Sequence, residues 1–181
     1  MQVSDRAILL ARSFLGKTET ANNDAPWLET LMSAGGNPAK WAKGEPYCIA
    51  ALLAIFDMAC SAESKTFPII PSASSQLFFE NAAALNLVSQ VPAIGDIVIF
   101  KLGTTWEGHA GLITNIQYDH AGKPTAIDTI EFNTSANVTP ATPQAERDGQ
   151  GCFAKERLLS HFLKTDKRQL WIRGYVKTSQ I

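Results

Sequence analysis

The sequence has few of the features that would assign a protein directly to a functional class. It carries only three cysteines among 181 residues and no CxxC pair, which argues against a disulfide framework and against a zinc or redox motif. The formal net charge is −1, and no long basic or acidic run occurs. Such a chain has no electrostatic footprint for nucleic acid or for an anionic membrane surface.

Long apolar segments are missing as well. The main apolar run, residues 48–56, is too short to span a bilayer. The amphipathic N-terminal stretch lacks the basic region, the long apolar core and the small-residue cleavage site of a signal peptide. We therefore expect synthesis and folding in the cytosol, with another factor carrying the protein to any target outside the inner membrane.

The composition is that of a globular protein. Apolar residues make up 45% and charged residues 18%, which excludes a disordered chain. A length of 181 residues suits one ordinary domain with a hydrophobic core, so we predict a single domain spanning residues 1–181.

Hydrophobic periodicity predicts helices in the first half of the chain and strands in the second. Helices are expected at residues 3–15, with Ser4 as N-cap, and at residues 27–32, 48–60 and 74–85. Strands are expected within residues 91–103, 109–118, 125–133, 152–158 and 170–177, with a long polar loop at residues 134–151. Helices followed by an antiparallel sheet argue for an α+β domain.

Cys48 is the first candidate for chemistry. It begins the apolar segment 48–60 and would lie at the N-terminus of a buried helix. Unpaired N–H groups and the positive end of the helix dipole favour the thiolate, which is the attacking form of cysteine, and can stabilise an oxyanion. The alternative is a packed structural cysteine, the usual state of a free thiol, to which we assign Cys60 and Cys152.

His109 is the candidate general base. It lies between Gly108 and Gly111, where the missing side chains allow a ligand or another backbone to approach closely. A histidine at the start of a strand beside a cleft can take the proton of a thiol. A satisfied structural histidine is the alternative, and His120 and His161 are expected on the surface.

Glu131 and Asn133 are candidates for the group that orients this histidine. A catalytic imidazole needs such a group to fix its tautomer. Because side chains alternate with a period of two along a strand, both residues are expected on one face, directed toward His109 from a neighbouring strand. The alternative for Glu131 is a solvated strand residue.

Four motifs, in their order along the chain, resemble one known family. The stretches "PYCIAALLAIF", "PAIGDIVIF", "GHAGLIT" and "EFNTS" are similar to motifs of the CHAP family of cysteine amidohydrolases and peptidases, within the wider NlpC/P60-like, papain-like group. The resemblance covers the chain from about Phe14 to its end. It implies a papain-like α+β fold, with N-terminal helices packed on an antiparallel sheet of about five to six strands.

The resemblance also implies a role for each matching residue. Cys48 would be the nucleophile, His109 the general base and Glu131 the group that orients the base. Asn133 would be a further polar member of the site.

Two aromatic residues are expected to contact substrate. Tyr47 precedes the expected nucleophile, at a position where many family members carry Trp. We therefore expect the side of the substrate groove next to Cys48 to differ in shape from theirs. Trp106 lies in the turn before the general base and would line the substrate groove, with a packed surface aromatic as the alternative. No DxDxxG-like calcium loop is present, so we expect no metal and no other cofactor.

The activity that the resemblance implies is peptidoglycan hydrolysis. The bond would be an amide, cut by an N-acetylmuramoyl-L-alanine amidase or by a peptide or cross-bridge endopeptidase acting through a thioester. We expect a monomer that acts in the periplasm or cell wall. A phage lysin released by a holin, a phage tail enzyme and an antibacterial effector delivered by a secretion system all fit, and an effector would need an immunity protein as partner.

Two other classes of protein compete with this reading. A metal hydrolase would use His109, His120 or His161, but no HExxH or paired ligand spacing occurs. A non-catalytic CHAP-like domain would serve as a wall-binding or phage-particle component. Loss of Cys48, His109 or Glu131 would mark such a domain, and all three residues are present.

Overall fold

The structure is a computed structural model that describes residues 1–136 and 149–181. Within these residues the α-helices are α1 (Val3–Arg12), α2 (Pro26–Ala34), α3 (Cys48–Ala62) and α4 (Ser75–Ala84). The strands are β1 (Val88–Ser89), β2 (Ile97–Leu102), β3 (Gly108–Tyr118), β4 (Pro124–Thr134), β5 (Gly151–Leu158) and β6 (Leu170–Val176). They form one antiparallel sheet in the order β1-β6-β2-β3-β4-β5, which confirms the predicted α+β class.

Helix α3 is the central element of the helical layer. It contacts α1 and α2 on one side and strands β3 and β4 on the other. Its residues are buried from Cys48 through Phe56, as a helix that is apolar nearly all round requires. This packing fixes the direction of the helix, so its first residue has a defined place relative to the sheet.

Strand β2 is buried on both faces, as its unbroken apolar run predicts. Ile97 and Ile99 pack into the core shared with the helices. Val98 and Phe100 pack into a smaller core on the other face of the sheet. Residues that follow β5, among them Phe162, cover this second face, so side chains on it are also shielded from water.

The predicted cap of α1 is wrong. The helix begins at Val3 with Gln2 as its N-cap residue, and Ser4 lies inside the first turn. Ser4 is buried where α1 meets Gly95, and an ideal Cβ built on Gly95 would lie 2.6 Å from the Ser4 Cβ. Close packing between helix and loop therefore explains the small residue at position 4.

The sheet contains one strand that periodicity did not indicate. Strand β1 is only two residues long and pairs with the end of β6, and such a segment is too short to show alternation. The long loop expected at residues 134–151 is shorter in the structure, because β4 continues to Thr134 and β5 begins at Gly151. The remainder of that loop, residues 137–148, lies outside the described residues.

Candidate active site

Cys48 occupies the start of α3 and reaches a cleft. It is the first residue of the helix, and the chain enters the helix through Pro46 and Tyr47. Cys48 is a free cysteine that is 7% exposed. The cleft has a volume of about 310 Å³ and is bounded by the entry to α3, the start of α4 and the turn between β2 and β3. The thiol thus combines a helix N-terminus with access to a binding space.

His109 lies in β3 beside this thiol and is fully buried. Its Nε2 atom lies 2.9 Å from Glu131 Oε2. Among the described residues its Nδ1 atom has no nitrogen or oxygen partner, and the imidazole interacts with the Cys48 side chain. One ring nitrogen is therefore held by a carboxylate and the other is available to the thiol.

Electrostatics favour a protonated His109. Burial lowers the pKa of the imidazole, but hydrogen bonds to Cys48 and Glu131, together with the Glu131 charge, outweigh burial and raise the pKa to about 9. The surroundings of His109 therefore stabilise the imidazolium that would result if it accepted a proton from the Cys48 thiol.

Glu131 is held as a buried carboxylate. Its Oε1 accepts hydrogen bonds from Thr129 Oγ1 at 2.7 Å and from Arg157 Nε at 2.8 Å, while Oε2 accepts from an Arg157 terminal nitrogen. Burial raises the pKa of this carboxyl, but Arg157 and His109 more than compensate and hold the pKa well below its usual range. The alternative of a solvated strand residue is wrong, because the side chain is fully buried.

Arg157 and Thr129 are members of the site that the sequence analysis missed. Arg157 is fully buried, and its guanidinium lies 5.4 Å from the ring centroids of both Phe100 and Phe162. It lies in a strand with the letters "KER", which read as a solvated surface, so no local signal marks it. Thr129 could have been found, because it lies two residues before Glu131 and so shares its face of β4.

The glycines around His109 make room for these contacts, as predicted. Gly111 is paired directly with Glu131 across β3 and β4, and a Cβ on Gly111 would lie 2.9 Å from Glu131 Cγ. A Cβ on Gly108 would lie 2.2 Å from both Gln76 Nε2 and the Phe100 carbonyl oxygen. A side chain at either position would displace a group beside the base.

Asn133 is buried, but the alternation that placed it beside Glu131 ends at this residue. Its φ is +55°, and the pairing of β4 with β5 steps from Phe132 to Thr134 around it. A bulge of this kind changes the direction of a side chain relative to a regular strand. The backbone of Asn133 forms a hydrogen bond with the Tyr47 hydroxyl, so the bulge is linked to the entry of α3.

Tyr47 does not line the cleft, which corrects the expectation that it contacts substrate. Its side chain is fully buried, its hydroxyl donates to Glu19 Oε1 at 2.8 Å, and its ring packs edge-on against Trp27. Burial and the Glu19 carboxylate both raise the pKa of this phenol. The position before Cys48 therefore anchors the start of α3 to the core and leaves no surface for a ligand.

Trp106 lies on the cleft wall and is 76% exposed, so its indole is available to a bound molecule. His120 and His161 are exposed, as expected.

In the part of the chain that the structure describes, no group of three or more His, Cys, Asp or Glu side chains could hold a metal ion. Over the same residues, no helix is both long enough and apolar enough to cross a membrane.

Comparison with known proteins gave no match, whether to family models, to curated proteins or to solved structures. Functional assignment therefore depends on the residues themselves and on their arrangement. That arrangement is a thiol at a helix start, a buried imidazole beside it, and an ionised carboxylate on the far side of the imidazole.

Proposed function

We propose that this protein is a cysteine hydrolase of the CHAP type, with a papain-like fold, that cleaves an amide bond in peptidoglycan. The observation that carries the proposal is the buried line from Glu131 through His109 to Cys48 at the wall of the cleft. A nucleophile, a base and an orienting carboxylate in contact are the minimum that thiol catalysis requires.

The chemistry follows from these three groups. His109 takes the Cys48 proton, and the thiolate attacks the amide carbonyl, so that an S–C bond forms and the carbonyl π electrons move to oxygen. The Cys48 backbone N–H, at the helix N-terminus, donates to this oxyanion. When the tetrahedral intermediate collapses, the C–N bond breaks and protonated His109 gives its proton to the leaving amine. Water, deprotonated by His109, then hydrolyses the thioester.

Glu131 acts on the imidazole and not on the substrate. Because it stays ionised, it fixes the Nε2–H tautomer of neutral His109 and stabilises the imidazolium after proton transfer. Arg157 and Thr129 hold the carboxylate in turn. Peptidoglycan is proposed as substrate because of the motif resemblance, and the exposed indole of Trp106 adds a planar surface on which a sugar ring or peptide can pack.

The biological setting belongs to the same proposal. The protein would act as a monomer in the periplasm or cell wall, either as a phage lysin or as an antibacterial effector with an immunity protein. An amidase and an endopeptidase would use the same catalytic groups, so both bonds are proposed. A CHAP-like domain without catalysis, kept for wall binding or as a phage-particle component, is the alternative.

The proposal is tested by incubating purified protein with isolated peptidoglycan sacculi and analysing the soluble fragments by mass spectrometry. Cys48→Ala is the inactive variant, and Cys60→Ala is the matched control, because it removes a buried thiol from the other end of the same helix. We expect fragments from wild type and Cys60→Ala but not from Cys48→Ala. Free stem peptides would identify an amidase, and uncrosslinked muropeptides an endopeptidase.

Two results would contradict the proposal. Fragments released equally by Cys48→Ala would mean that another group performs the chemistry. If several wall types yield no fragments while the protein sediments with the sacculi, the wall-binding alternative takes its place.

A further inference from the structure

Helix α4 begins at the same cleft as α3. Cys48 is the first residue of α3 and Ser75 the first of α4, and both residues line the cleft. The first N–H groups of a helix have no partner within the helix and carry partial positive charge. Two helix N-termini thus meet at the space in which an attacked carbonyl would develop negative charge.

Ser75 has a side chain placed to use this position. It is only 6% exposed, and its Oγ accepts a hydrogen bond from Gln76 Nε2 at 3.2 Å. Among the described residues, the hydrogen bond of Ser75 Oγ with Gln76 uses the serine oxygen as acceptor. A hydroxyl can accept and donate at the same time, so its O–H is left to donate to a group in the cleft.

Gln76 is itself fixed by contacts on both sides. Its Nε2 donates to the Phe100 carbonyl oxygen at 2.8 Å, and its Oε1 accepts from an Arg173 terminal nitrogen at 3.0 Å. The amide is therefore oriented with its NH₂ group toward Ser75. Because that group occupies a lone pair of Ser75 Oγ, it restricts the directions open to the serine hydrogen.

The hydroxyl also lies next to the backbone that carries the general base. A Cβ on Gly108 would lie 3.0 Å from Ser75 Oγ, and Gly108 immediately precedes His109. Gly108 and Cys48 line the same cleft as Ser75. A carbonyl attacked by Cys48 would place its oxygen in the space that these residues enclose.

We propose that Ser75 is a catalytic residue that donates the second hydrogen bond to the oxyanion, beside the N–H of Cys48, and that Gln76 is its positioning residue. The inference assumes the thiol chemistry of the proposed function but not its substrate. During attack the S–C bond forms and the carbonyl π electrons move to oxygen. The Ser75 hydrogen bond stabilises that charge, and the serine proton stays on Ser75 throughout.

The test compares two reactions of the Cys48 thiol. Acetylation by p-nitrophenyl acetate forms an S–C bond through a tetrahedral oxyanion and expels p-nitrophenolate. Alkylation by iodoacetamide forms an S–C bond in one step and expels iodide without any oxyanion. Both rates are measured as loss of the free Cys48 thiol in Ser75→Ala, in wild type and in Ser72→Ala, with Cys60 and Cys152 replaced by Ala throughout so that Cys48 is the only thiol.

The expected result is selective. Loss of one side-chain donor from an oxyanion hole lowers kcat by about 10² to 10³, so acetylation of Ser75→Ala should slow by at least about tenfold, while alkylation should match wild type. Ser72→Ala is the matched control. The Ser72 hydroxyl accepts a hydrogen bond from the Ser74 backbone N–H at 3.1 Å. Its removal therefore disturbs the same loop before α4 but leaves the proposed Ser75 donor in place.

Other outcomes overturn the inference. If acetylation and alkylation slow equally, Ser75 acts on the thiol or on folding and not on the oxyanion. If neither changes, Ser75 is not a donor. Because no peptidoglycan is involved, a selective loss in a protein that leaves sacculi intact would retain the oxyanion role and reject only the substrate.

Discussion

The two ends of helix α3 carry the same side chain in opposite settings. Cys48, at the first residue, reaches a cleft and interacts with a buried imidazole. Cys60, near the last turn, is buried, and both burial and the Asp57 carboxylate raise the pKa of its thiol. Both thiols are buried, so the comparison separates them by their partners and by their position in the helix, and not by burial.

The largest effect is expected from the two thiols themselves. Cys48→Ala should lower the rate of substrate hydrolysis by about 10⁴-fold or more, as loss of a nucleophile does, while Cys60→Ala should stay within a few-fold of wild type. Initial rates of fragment release from sacculi measure both. A similar loss of rate in the two variants would mean that α3 needs both thiols for folding and that Cys48 has no special part in hydrolysis.

Arg157→Met should disturb the contacts that hold Glu131 beside His109 without changing any residue of α3. It leaves the buried Glu131 carboxylate with His109 but without the Arg157 guanidinium, and removal of one partner from a buried ion pair costs about 3–5 kcal/mol. Urea denaturation measures the free energy of unfolding. The double variant Arg157→Met/Glu131→Gln should recover much of that loss, because the carboxylate that lost its guanidinium partner is removed as well. A double variant as unstable as the single one would contradict this account.

A pH dependence should distinguish the two ends of the helix. The folded-state pKa of His109 is raised from 6.5 to about 9. Its contribution to stability is therefore complete below pH 6.5 and is lost as pH rises through about 9. Between pH 6.5 and 8.5, the unfolding free energy should fall more steeply for wild type than for His109→Gln. Urea titrations at several pH values give the two slopes, and Cys60→Ala should keep the wild-type slope. Equal slopes for wild type and His109→Gln would show that the imidazole has no raised pKa.

The smallest effect is expected at the residue before the nucleophile. Tyr47→Phe removes the hydrogen bonds of the Tyr47 hydroxyl with Glu19 and with the Asn133 backbone and should cost about 1–3 kcal/mol of unfolding free energy. Because Tyr47 is buried away from the cleft, its loss should leave KM for soluble wall fragments unchanged, whereas Trp106→Ala should raise it. A raised KM in Tyr47→Phe would return this residue to the substrate groove.

Much of the fold could be predicted from periodicity alone. Residues 48–56 of α3 and the strand around Val98 and Phe100 are continuous apolar runs, and a run of that kind has to be buried on every side whatever the topology. Strand β1 could not be predicted, since Val88 and Ser89 form a strand only through pairing with β6.

The site was predictable where local rules held. Cys48 follows a proline that favours a helix start, and His109 lies between two glycines. Both signals can be read directly from the sequence. Arg157 was not predictable, because its partner Glu131 lies 26 positions away and the pairing of two strands brings them together. The bulge at Asn133 could not be predicted, because a period-two pattern does not show where the regular pairing of a strand is interrupted.

The depth of His109 and Glu131 has a consequence for chemical probes of this protein. Both groups are fully buried, whereas the Cys48 side chain reaches the cleft. A charged reagent cannot reach the buried carboxylate–guanidinium pair, so a chemical probe of this site has to carry a small electrophile for the Cys48 sulfur. A flat aromatic group attached to that electrophile could stack on the exposed indole of Trp106, which would direct a covalent label to Cys48 rather than to Cys60 or Cys152.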